Sequence, residues 1–334
     1  MRPAVIPSSP LSLPRQATPL IDIPLMVAGV PRLLRLKAEW SNPCGSIKDR
    51  TATALLATVV DRLDPRAGVI ESTSGNLGLA LAAGCAELGV PFTAVVDPRA
   101  SNWLVNRMHD LGAIIVHSDV ADQAGGYLLS RIATVRAMCL ENPGLVWTNQ
   151  YENEANPRAH ERTGAELAAQ APRVQAIFVP VSTGGTLAGI QRYGAQQGLA
   201  WRAIGVDVHG SVALGGIPGP RVLSGIGASH RSYFFPTAGV SDVERTSTED
   251  AIACCDWAGQ ALGLSLGASA GAALAAALRR MRSNPELREA ACICPDGADR
   301  YQETVYDIGW RKFHDIRPER AWAELGTGVS TRTT

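Results

Sequence analysis

The sequence predicts an α/β fold with two lobes, each built on a parallel β-sheet. Two series of short apolar segments alternate with alanine-rich segments of helical length, and turn residues separate them. Strand–turn–helix units repeated at this spacing are typical of a parallel sheet with helices on both faces. The chain has 334 residues. Single domains usually run to roughly one or two hundred residues, so two lobes are favoured over one.

The first lobe is predicted from the N-terminal half of the chain, where strand-like segments rich in valine and isoleucine alternate with helical ones. The predicted elements are a strand over 67–71, a helix over 77–88, a strand over 91–96, a helix over 101–111 and a strand over 113–116. Each helix can serve as the crossover connection that a pair of parallel strands needs.

A second series of elements predicts the other lobe. It comprises a strand over 176–181, a helix over 187–196, a strand over 203–208, a helix over 271–281 and a strand over 291–294. Residues 210–229 interrupt this series, because they are rich in glycine and show little hydrophobic periodicity. Such a stretch fits a mobile or ligand-lining segment better than a packed element.

Charge and hydropathy exclude several classes of function. The 31 basic residues balance the 31 acidic ones, and 46% of the residues are hydrophobic. Nothing electrostatic indicates nucleic acid or an anionic membrane, so we expect a small-molecule partner. No window reaches the roughly 18 apolar residues of a membrane-spanning helix. Prolines at positions 3, 7, 10 and 14 interrupt the N-terminus. They argue against a secretory signal, and a cytoplasmic location is expected.

The cysteines and histidines do not form a metal-binding pattern. The seven cysteines are an odd number without two paired CxxC elements, and most lie in apolar surroundings. The six histidines lack the spacing typical of metal ligands. We therefore expect reduced cysteines that pack in the core, and no metal site.

Lys48 follows a turn that contains proline and glycine, and it begins a predicted helix. An isolated lysine is usually a solvated surface residue. Partial burial at a helix N-terminus beside a glycine turn, however, disfavours the charged form of an amine and suits it to Schiff-base chemistry. Lys48 is therefore a candidate catalytic residue for a reaction on an amino acid.

A second polar turn follows the strand predicted over 67–71. It contains two hydroxyls, close backbone amides and a carboxamide, from Thr73, Ser74, Gly75 and Asn76. This set is suited to binding an α-carboxylate. The turn can equally cap the helix that begins near Leu77, and both roles can hold together.

A third polar turn lies between the strand over 176–181 and the next helix. It consists of Ser182, Thr183, Gly184, Gly185 and Thr186. Its amides and hydroxyls can converge on a phosphate at the positive end of a helix. An ordinary strand-to-helix turn capped by threonine is the alternative. The turn is neither a Walker loop nor GxGxxG, and no dinucleotide fingerprint with a downstream acid is apparent elsewhere, which disfavours a nicotinamide or nucleoside triphosphate. Ser269 likewise precedes an alanine-rich helix and, taken alone, could be only its cap.

Taken together, these segments resemble the cysteine synthase family of fold-type II pyridoxal-phosphate enzymes, whose fold is like that of the tryptophan synthase β subunit. The resemblance runs from Thr18 to Tyr301, with four motifs in the family's order. It implies pyridoxal 5'-phosphate as cofactor, small amino-acid substrates and a homodimer.

The resemblance also assigns roles to the residues of the turns. It implies that Lys48 holds the cofactor covalently and that Asn76 contacts the ring hydroxyl. The turn 182–186 would bind the phosphate, and Ser269 would face the pyridine nitrogen. A serine hydroxyl there cannot keep that nitrogen protonated as a carboxylate does, which favours loss of a β-leaving group over transamination or racemisation.

The same resemblance divides the chain into two domains and places the substrate. A smaller, mobile substrate-binding domain would span 44–152, and residues 1–43 and 153–334 would form the larger cofactor-binding domain. The expected substrate contacts are Thr73, Ser74, Gly75, Gln150 and Tyr151. In the implied cycle the freed lysine removes the α-proton, and a bound aminoacrylate accepts a nucleophile at its β-carbon.

Several departures from the cysteine synthase pattern bear on the substrate. Leu77 replaces a threonine, Asp97 lies in a run that replaces Met-Pro-Glu, and Cys44 occupies a turn position that normally has no thiol. Three segments look more like the branch that joins O-phospho-L-serine to L-glutamate, namely 71–78, 125–128 with Arg131, and 210–212. Its product, N-(1-amino-1-carboxyl-2-ethyl)-glutamate, is a precursor of 2,3-diaminopropionate in siderophore or antibiotic biosynthesis.

Arg221 is a candidate for the substrate phosphate, because a guanidinium can bind two oxygens at once. A solvated loop arginine is at least as compatible with its position. Two other functions also stay open at this point. One is a cysteine or S-sulfocysteine synthase that uses O-phosphoserine or O-acetylserine with sulfide or thiosulfate, and the other is a non-catalytic partner-binding homologue, against which the intact Lys48 argues.

Overall fold

The computed structural model of the protein describes residues 16–121, 126–235 and 242–331. The strands are β1 (Leu20–Val27), β2 (Val30–Ala38), β3 (Val69–Ser72), β4 (Phe92–Val96), β5 (Ile114–His117), β6 (Val146–Trp147), β7 (Ala176–Pro180), β8 (Arg202–Val208), β9 (Val243–Thr246), β10 (Glu289–Cys294) and β11 (Val329–Thr331). The α-helices are α1 (Lys48–Ala57), α2 (Asn76–Leu88), α3 (Asn102–Asp110), α4 (Leu128–Glu141), α5 (Ala155–Gln170), α6 (Gly185–Gln196), α7 (Thr248–Leu262), α8 (Ala268–Ser283), α9 (Ile308–Phe313) and α10 (Pro318–Leu325).

The chain divides into two compact units. One contains Asn42–Ala159, and the other contains Ala17–Ser41 together with the residues from His160 onward. Each unit has its own sheet and its own apolar core. The predicted α/β class is confirmed. The predicted roles of the two domains, and the mobility of the smaller one, stay predictions.

The sheet of the unit 42–159 has four parallel strands in the order β5-β4-β3-β6. Its helix α2 is built almost entirely of leucine, alanine and glycine, so it is buried along most of its length. The helix ends at Gly89, whose φ of +67° is the left-handed conformation that glycine adopts most readily. Because β3 and β4 are parallel, the turns that follow them meet at the same edge of the sheet.

The other unit has a seven-stranded sheet in the order β11-β1-β2-β10-β7-β8-β9. Five neighbouring strands of this sheet are parallel, namely β2, β10, β7, β8 and β9. Strand β1 is antiparallel to both β2 and β11. The alanine-rich helix α8 lies in the middle of this unit's core and is buried for nearly its whole length. Small side chains allow a close approach: a Cβ at Gly271 would overlap the carbonyl oxygen of Ala251 in α7.

The predicted strands and helices are present, with small shifts of their ends. The antiparallel hairpin of β1 and β2 was not predicted, because Pro24 and Pro31 lie within it. Strand β11 pairs with β1 only at Leu25–Val27, so Pro24 lies where β1 is an edge strand and a proline is tolerated. No helix in the described ranges is long and apolar enough to cross a membrane.

Candidate active site

Lys48 is the first residue of α1, and its side chain is half-buried. The preceding turn is closed by a hydrogen bond from the Gly45 amide to the Asn42 carbonyl oxygen, at 2.8 Å. Gly45 has a φ of +77°, so the turn depends on glycine at this position. The Cys44 amide donates to the Asp49 carboxylate at 3.1 Å. These two hydrogen bonds stabilise the turn that precedes Lys48.

Thr73 and Ser74 use their hydroxyls differently. The Thr73 hydroxyl accepts a hydrogen bond from the Gly78 amide in the first turn of α2, at 3.0 Å. The Ser74 hydroxyl donates to the Asp97 carboxylate at 2.8 Å and accepts from the Asp97 amide at 3.1 Å. Thr73 thus has the capping role that we considered as an alternative, and the Ser74 hydroxyl proton is directed at Asp97. Gly75 is the N-cap of α2, and Asn76 is the first residue of that helix.

Asp97 also forms an ion pair with Arg131 of α4. The Arg131 Nε lies 3.1 Å from an Asp97 carboxylate oxygen, and both side chains are almost entirely buried. Arg131 therefore lies beside the Ser74 turn, with its charge paired to Asp97. Sequence reasoning named both residues but did not predict that they pair.

Gln150 and Tyr151 lie against the end of β3. The Gln150 side-chain amide donates to the Ser72 carbonyl oxygen at 2.9 Å, and the Tyr151 hydroxyl donates to the same oxygen at 3.1 Å. Burial raises the pKa of the Tyr151 hydroxyl, so it remains a donor at neutral pH. The structure thus brings Gln150 and Tyr151 next to the turn that contains Thr73 and Ser74.

A buried glutamate was missed by sequence reasoning. Glu71 is fully buried in β3, and four donors contact its carboxylate: the Ser72 amide at 2.8 Å, the Trp147 indole at 3.1 Å, the Thr148 hydroxyl at 2.6 Å and the Gln150 amide at 3.1 Å. Burial raises the pKa of Glu71, and the four hydrogen bonds oppose that shift. A charged residue inside an apolar strand was the available signal, because buried carboxylates need partners.

The turn 182–186 lies between β7 and α6. Gly184 is the N-cap of α6, with a φ of +94° and no side-chain capping bond. This observation contradicts the alternative of an ordinary turn capped by threonine. A Cβ at Gly184 would overlap the Ser232 hydroxyl, so only glycine fits there. The amides of this turn therefore lie at the positive end of a three-turn helix.

Two side chains that sequence reasoning missed support this turn. The Ser232 hydroxyl donates to the Thr183 carbonyl oxygen at 2.6 Å. The fully buried imidazole of His160 contacts the Thr186 hydroxyl through Nε2 at 3.3 Å and the Thr163 hydroxyl through Nδ1 at 3.4 Å. The turn is thus held in place from both ends.

Ser269 is the second residue of α8 and is almost fully buried. The N-cap of α8 is Gly267, and no side chain caps the helix. Ser269 is therefore not the helix cap that a purely local reading suggests. Its hydroxyl lies at the positive end of a long buried helix.

The glycine-rich segment 210–229 contains no helix or named strand but is fixed at several points. The Ser211 hydroxyl accepts from the Ala228 amide at 3.0 Å, and the Gly227 amide donates to the Val181 carbonyl oxygen at 2.7 Å. The half-buried Arg221 packs against Gly227, where a Cβ would lie 2.9 Å from the Arg221 guanidinium. Arg221 therefore lies next to Gly227, within the same glycine-rich segment.

Five of the seven cysteines are buried, and burial lowers the reactivity of their thiols. Cys85, Cys254, Cys255, Cys292 and Cys294 are free and buried. Burial raises the pKa of Cys85 and Cys255 to about 12, which makes their thiols poor nucleophiles at neutral pH.

The polar groups fit a phosphorylated cofactor. The turn 182–186 combines hydroxyls with amides at the N-terminus of a helix, and this donor set suits a phosphate. Lys48, Asn76 and Gln150 belong to the unit 42–159, and the turn 182–186, Arg221 and Ser269 belong to the other unit.

The fold and these turns define a pyridoxal-phosphate enzyme. Residues 11–296 match the family described as pyridoxal-phosphate dependent enzyme. The chain belongs to this family, which confirms the cofactor and the fold-type II architecture that the sequence predicts.

Two bacterial relatives of this chain have the same name. The chain is 36% identical over 297 residues to the N-(2-amino-2-carboxyethyl)-L-glutamate synthase of Ralstonia nicotianae, covering 88% of each chain. It is 35% identical over 300 residues to the synthase of that name from Cupriavidus metallidurans, again covering 88% of each. Among solved structures, the O-acetylserine-dependent cystathionine β-synthase of Helicobacter pylori superposes with a TM-score of 0.79 at 28% identity, covering 87% of this chain and 96% of that one.

Proposed function

We propose that the protein catalyses β-replacement on O-phospho-L-serine with L-glutamate as the nucleophile. The product is N-(1-amino-1-carboxyl-2-ethyl)-glutamate, a precursor of 2,3-diaminopropionate, and it is the compound named in the two bacterial relatives. One structural observation carries the choice of nucleophile: Arg131, held by Asp97 beside the Ser74 turn. A guanidinium in this place suits a substrate with additional carboxylates, whereas sulfide would need none.

The reaction needs no oxidant or reductant. The Cβ–O bond of O-phosphoserine breaks, and phosphate leaves with the bonding electrons. The amino nitrogen of glutamate then forms a bond to Cβ and loses a proton, while the α-carbon loses a proton and regains one. When bound, pyridoxal phosphate supplies an aldehyde for the substrate amine and a ring that withdraws electrons from the α-carbon.

The residues of this chain have separate tasks in the proposed reaction. Lys48 holds the cofactor at rest and, once released, carries the α-proton at its Nζ. The Ser74 turn binds the α-carboxylate of O-phosphoserine, together with Gln150. One N–H of the Gln150 amide donates to the Ser72 carbonyl oxygen, which leaves its second N–H for the substrate.

Three other groups complete the assignment. The hydroxyls and amides of the turn 182–186 bind the cofactor phosphate, and Asn76 contacts the cofactor ring. Ser269 offers the pyridine nitrogen a neutral hydroxyl, so the ring stores less negative charge and elimination is favoured. Arg221 binds the phosphate of the substrate.

Product analysis tests the proposal. The holoenzyme is incubated with O-phospho-L-serine and either L-glutamate, sulfide or thiosulfate, and the products are identified by mass. We expect the glutamate adduct and release of one phosphate per adduct. Formation of cysteine or S-sulfocysteine without any glutamate adduct would reject the proposal.

A cysteine or S-sulfocysteine synthase is the second candidate function. The likeness to the Helicobacter pylori enzyme supports it. That enzyme is described as dependent on O-acetylserine, which is a β-substituted serine. Replacing O-phospho-L-serine by O-acetyl-L-serine in the same assay separates the two leaving groups.

We further propose a cytoplasmic homodimer in which residues 44–152 form a mobile substrate-binding domain and the remainder forms the cofactor-binding domain. Light scattering on the purified protein tests the dimer, and a monomer mass would contradict it.

A further inference from the structure

Glu71 holds the segment 147–150 in place through both of its carboxylate oxygens. Oε1 accepts from the Ser72 amide and the Trp147 indole, and Oε2 accepts from the Thr148 hydroxyl and the Gln150 amide. All four partners are donors. A carboxylate, which only accepts, satisfies them together, whereas a glutamine would turn an NH₂ group towards two donors.

The backbone between the two Oε2 contacts has an unusual conformation. Asn149, which lies between Thr148 and Gln150, has a φ of +50°. This is the left-handed region, which costs a residue other than glycine some conformational energy, although asparagine tolerates it better than most. Because the hydrogen bonds on either side of Asn149 end on one oxygen of Glu71, the carboxylate stabilises this conformation.

The conformation determines where the Gln150 side chain lies. The Gln150 amide nitrogen of the main chain is bound by Glu71, its carbonyl oxygen accepts from Asn156 at 2.8 Å, and its side chain donates to the Ser72 carbonyl oxygen. Tyr151 donates to that same oxygen. Loss of the Glu71 contacts would free the main chain just before Gln150.

We propose that Glu71 is a positioning residue that fixes Gln150 and Tyr151 for binding the α-carboxylate of the amino-acid substrate. The inference rests on the proposed function, in which Gln150 contacts that carboxylate. Glu71 lies inside the strand and acts only through its neighbours. Its loss should therefore weaken substrate binding while leaving cofactor binding unchanged.

The substitution Glu71→Gln in the holoenzyme tests this role. We expect the concentration of O-phospho-L-serine that half-saturates the absorbance change of the bound cofactor to rise about tenfold, as the loss of one or two buried hydrogen bonds implies. The turnover number at saturating substrate and the affinity for pyridoxal phosphate should stay within about threefold. Emission from Trp147, obtained as the difference between each protein and its Trp147→Phe form, should shift because the indole loses its carboxylate acceptor.

Two further variants keep the test decisive. Glu87→Gln removes an exposed carboxylate from α2 of the same unit and should change none of these quantities. If Glu71→Gln does not fold, Thr148→Val removes one donor from Oε2 and should raise the half-saturating concentration in the same direction. An unchanged half-saturating concentration in a folded Glu71→Gln protein, or in Thr148→Val where that is the protein tested, would overturn the inference.

The failure of this inference can be distinguished from the failure of the proposed function. If the wild-type protein does not respond to O-phospho-L-serine, the proposed substrate is wrong. The same comparison is then made with O-acetyl-L-serine, which carries the same α-carboxylate. A tenfold difference between the two proteins with that substrate would still support the positioning role.

Discussion

The turn after β3 and the turn after β7 have similar sequences and positions but different supports. Each follows a parallel strand, contains glycine and hydroxyl residues, and precedes a helix. Around the first turn the supports are acidic, because Ser74 contacts Asp97 and the flanking segment contacts Glu71. Around the second turn they are a hydroxyl and an imidazole, from Ser232 and His160.

This difference matches the ligands that we assign to the two turns. Next to the first turn, Asp97 pairs with the Arg131 guanidinium, and Glu71 accepts from the main-chain amide of Gln150. We assign to this turn a substrate with several polar groups. The second turn needs amides and hydroxyls aimed at one phosphate, and its own supports are a hydroxyl and an imidazole. The two similar motifs thus have different tasks, and the residues around them determine which.

The largest expected effect concerns Lys48, on which the proposed reaction depends. Lys48→Ala should lower the turnover number by at least about a thousandfold, because it removes the amine that carries the α-proton. It should also abolish the visible absorbance of the covalently held cofactor. The exposed residue Lys312 of α9 provides the control, and Lys312→Ala should leave both quantities unchanged.

The next effect isolates the second turn. Gly184→Ala should weaken the affinity for pyridoxal phosphate at least about tenfold, because φ is +94° and the added Cβ would overlap the Ser232 hydroxyl. Equilibrium dialysis of the apoenzyme measures this affinity. Gly198 also has a left-handed φ, of +63°, but has open space around its Cβ position. Gly198→Ala should therefore lower stability without changing cofactor affinity, and equal effects of the two substitutions would contradict the assignment of the turn.

A smaller effect isolates the first turn. Asp97→Asn retains an acceptor for the Ser74 hydroxyl but loses the charge that pairs with Arg131. The KM for L-glutamate should rise about threefold to tenfold, and more than the KM for O-phospho-L-serine. Steady-state kinetics with each substrate varied in turn provides the comparison, with the exposed Asp110→Asn as control. A larger change for O-phospho-L-serine would instead place Arg131 at the other substrate.

A last effect is on stability rather than on catalysis, and it concerns Glu71. Burial raises the pKa of Glu71 in the folded protein above its unfolded value. The stability that this protonation contributes is therefore complete below the unfolded pKa and is lost as the pH rises through the folded pKa. Over that window the free energy of unfolding of the wild type, relative to Glu71→Gln, should fall by about 1.4 kcal/mol for each pH unit. Urea unfolding of both proteins from pH 4.5 to 8 measures it, and a difference that rises with pH would contradict the direction of the shift.

Local sequence patterns were sufficient for the strands and helices that we predicted and for the turns, because hydrophobic periodicity and turn residues act over a few positions. Helices α4, α5 and α7 were not predicted. The hairpin of β1 and β2 was missed because Pro24 obscures an edge strand that only pairing with a distant segment defines. The contact of Asp97 with Arg131 and the contacts of Glu71 with 147–150 were missed for a similar reason. These contacts join residues that are far apart in the chain. A single sequence does not indicate which distant residues come close in the folded protein. The segment 125–128 begins outside the described residues, so its likeness to the glutamate-using branch stays a prediction.

The central claim is that the amine of Lys48 holds the cofactor. Borohydride reduction of the holoenzyme, followed by digestion and mass analysis, tests it most directly. We expect a reduced pyridoxyl phosphate group on the peptide that contains Lys48. A colourless protein with an unmodified Lys48 peptide, or the group on another lysine, would contradict it.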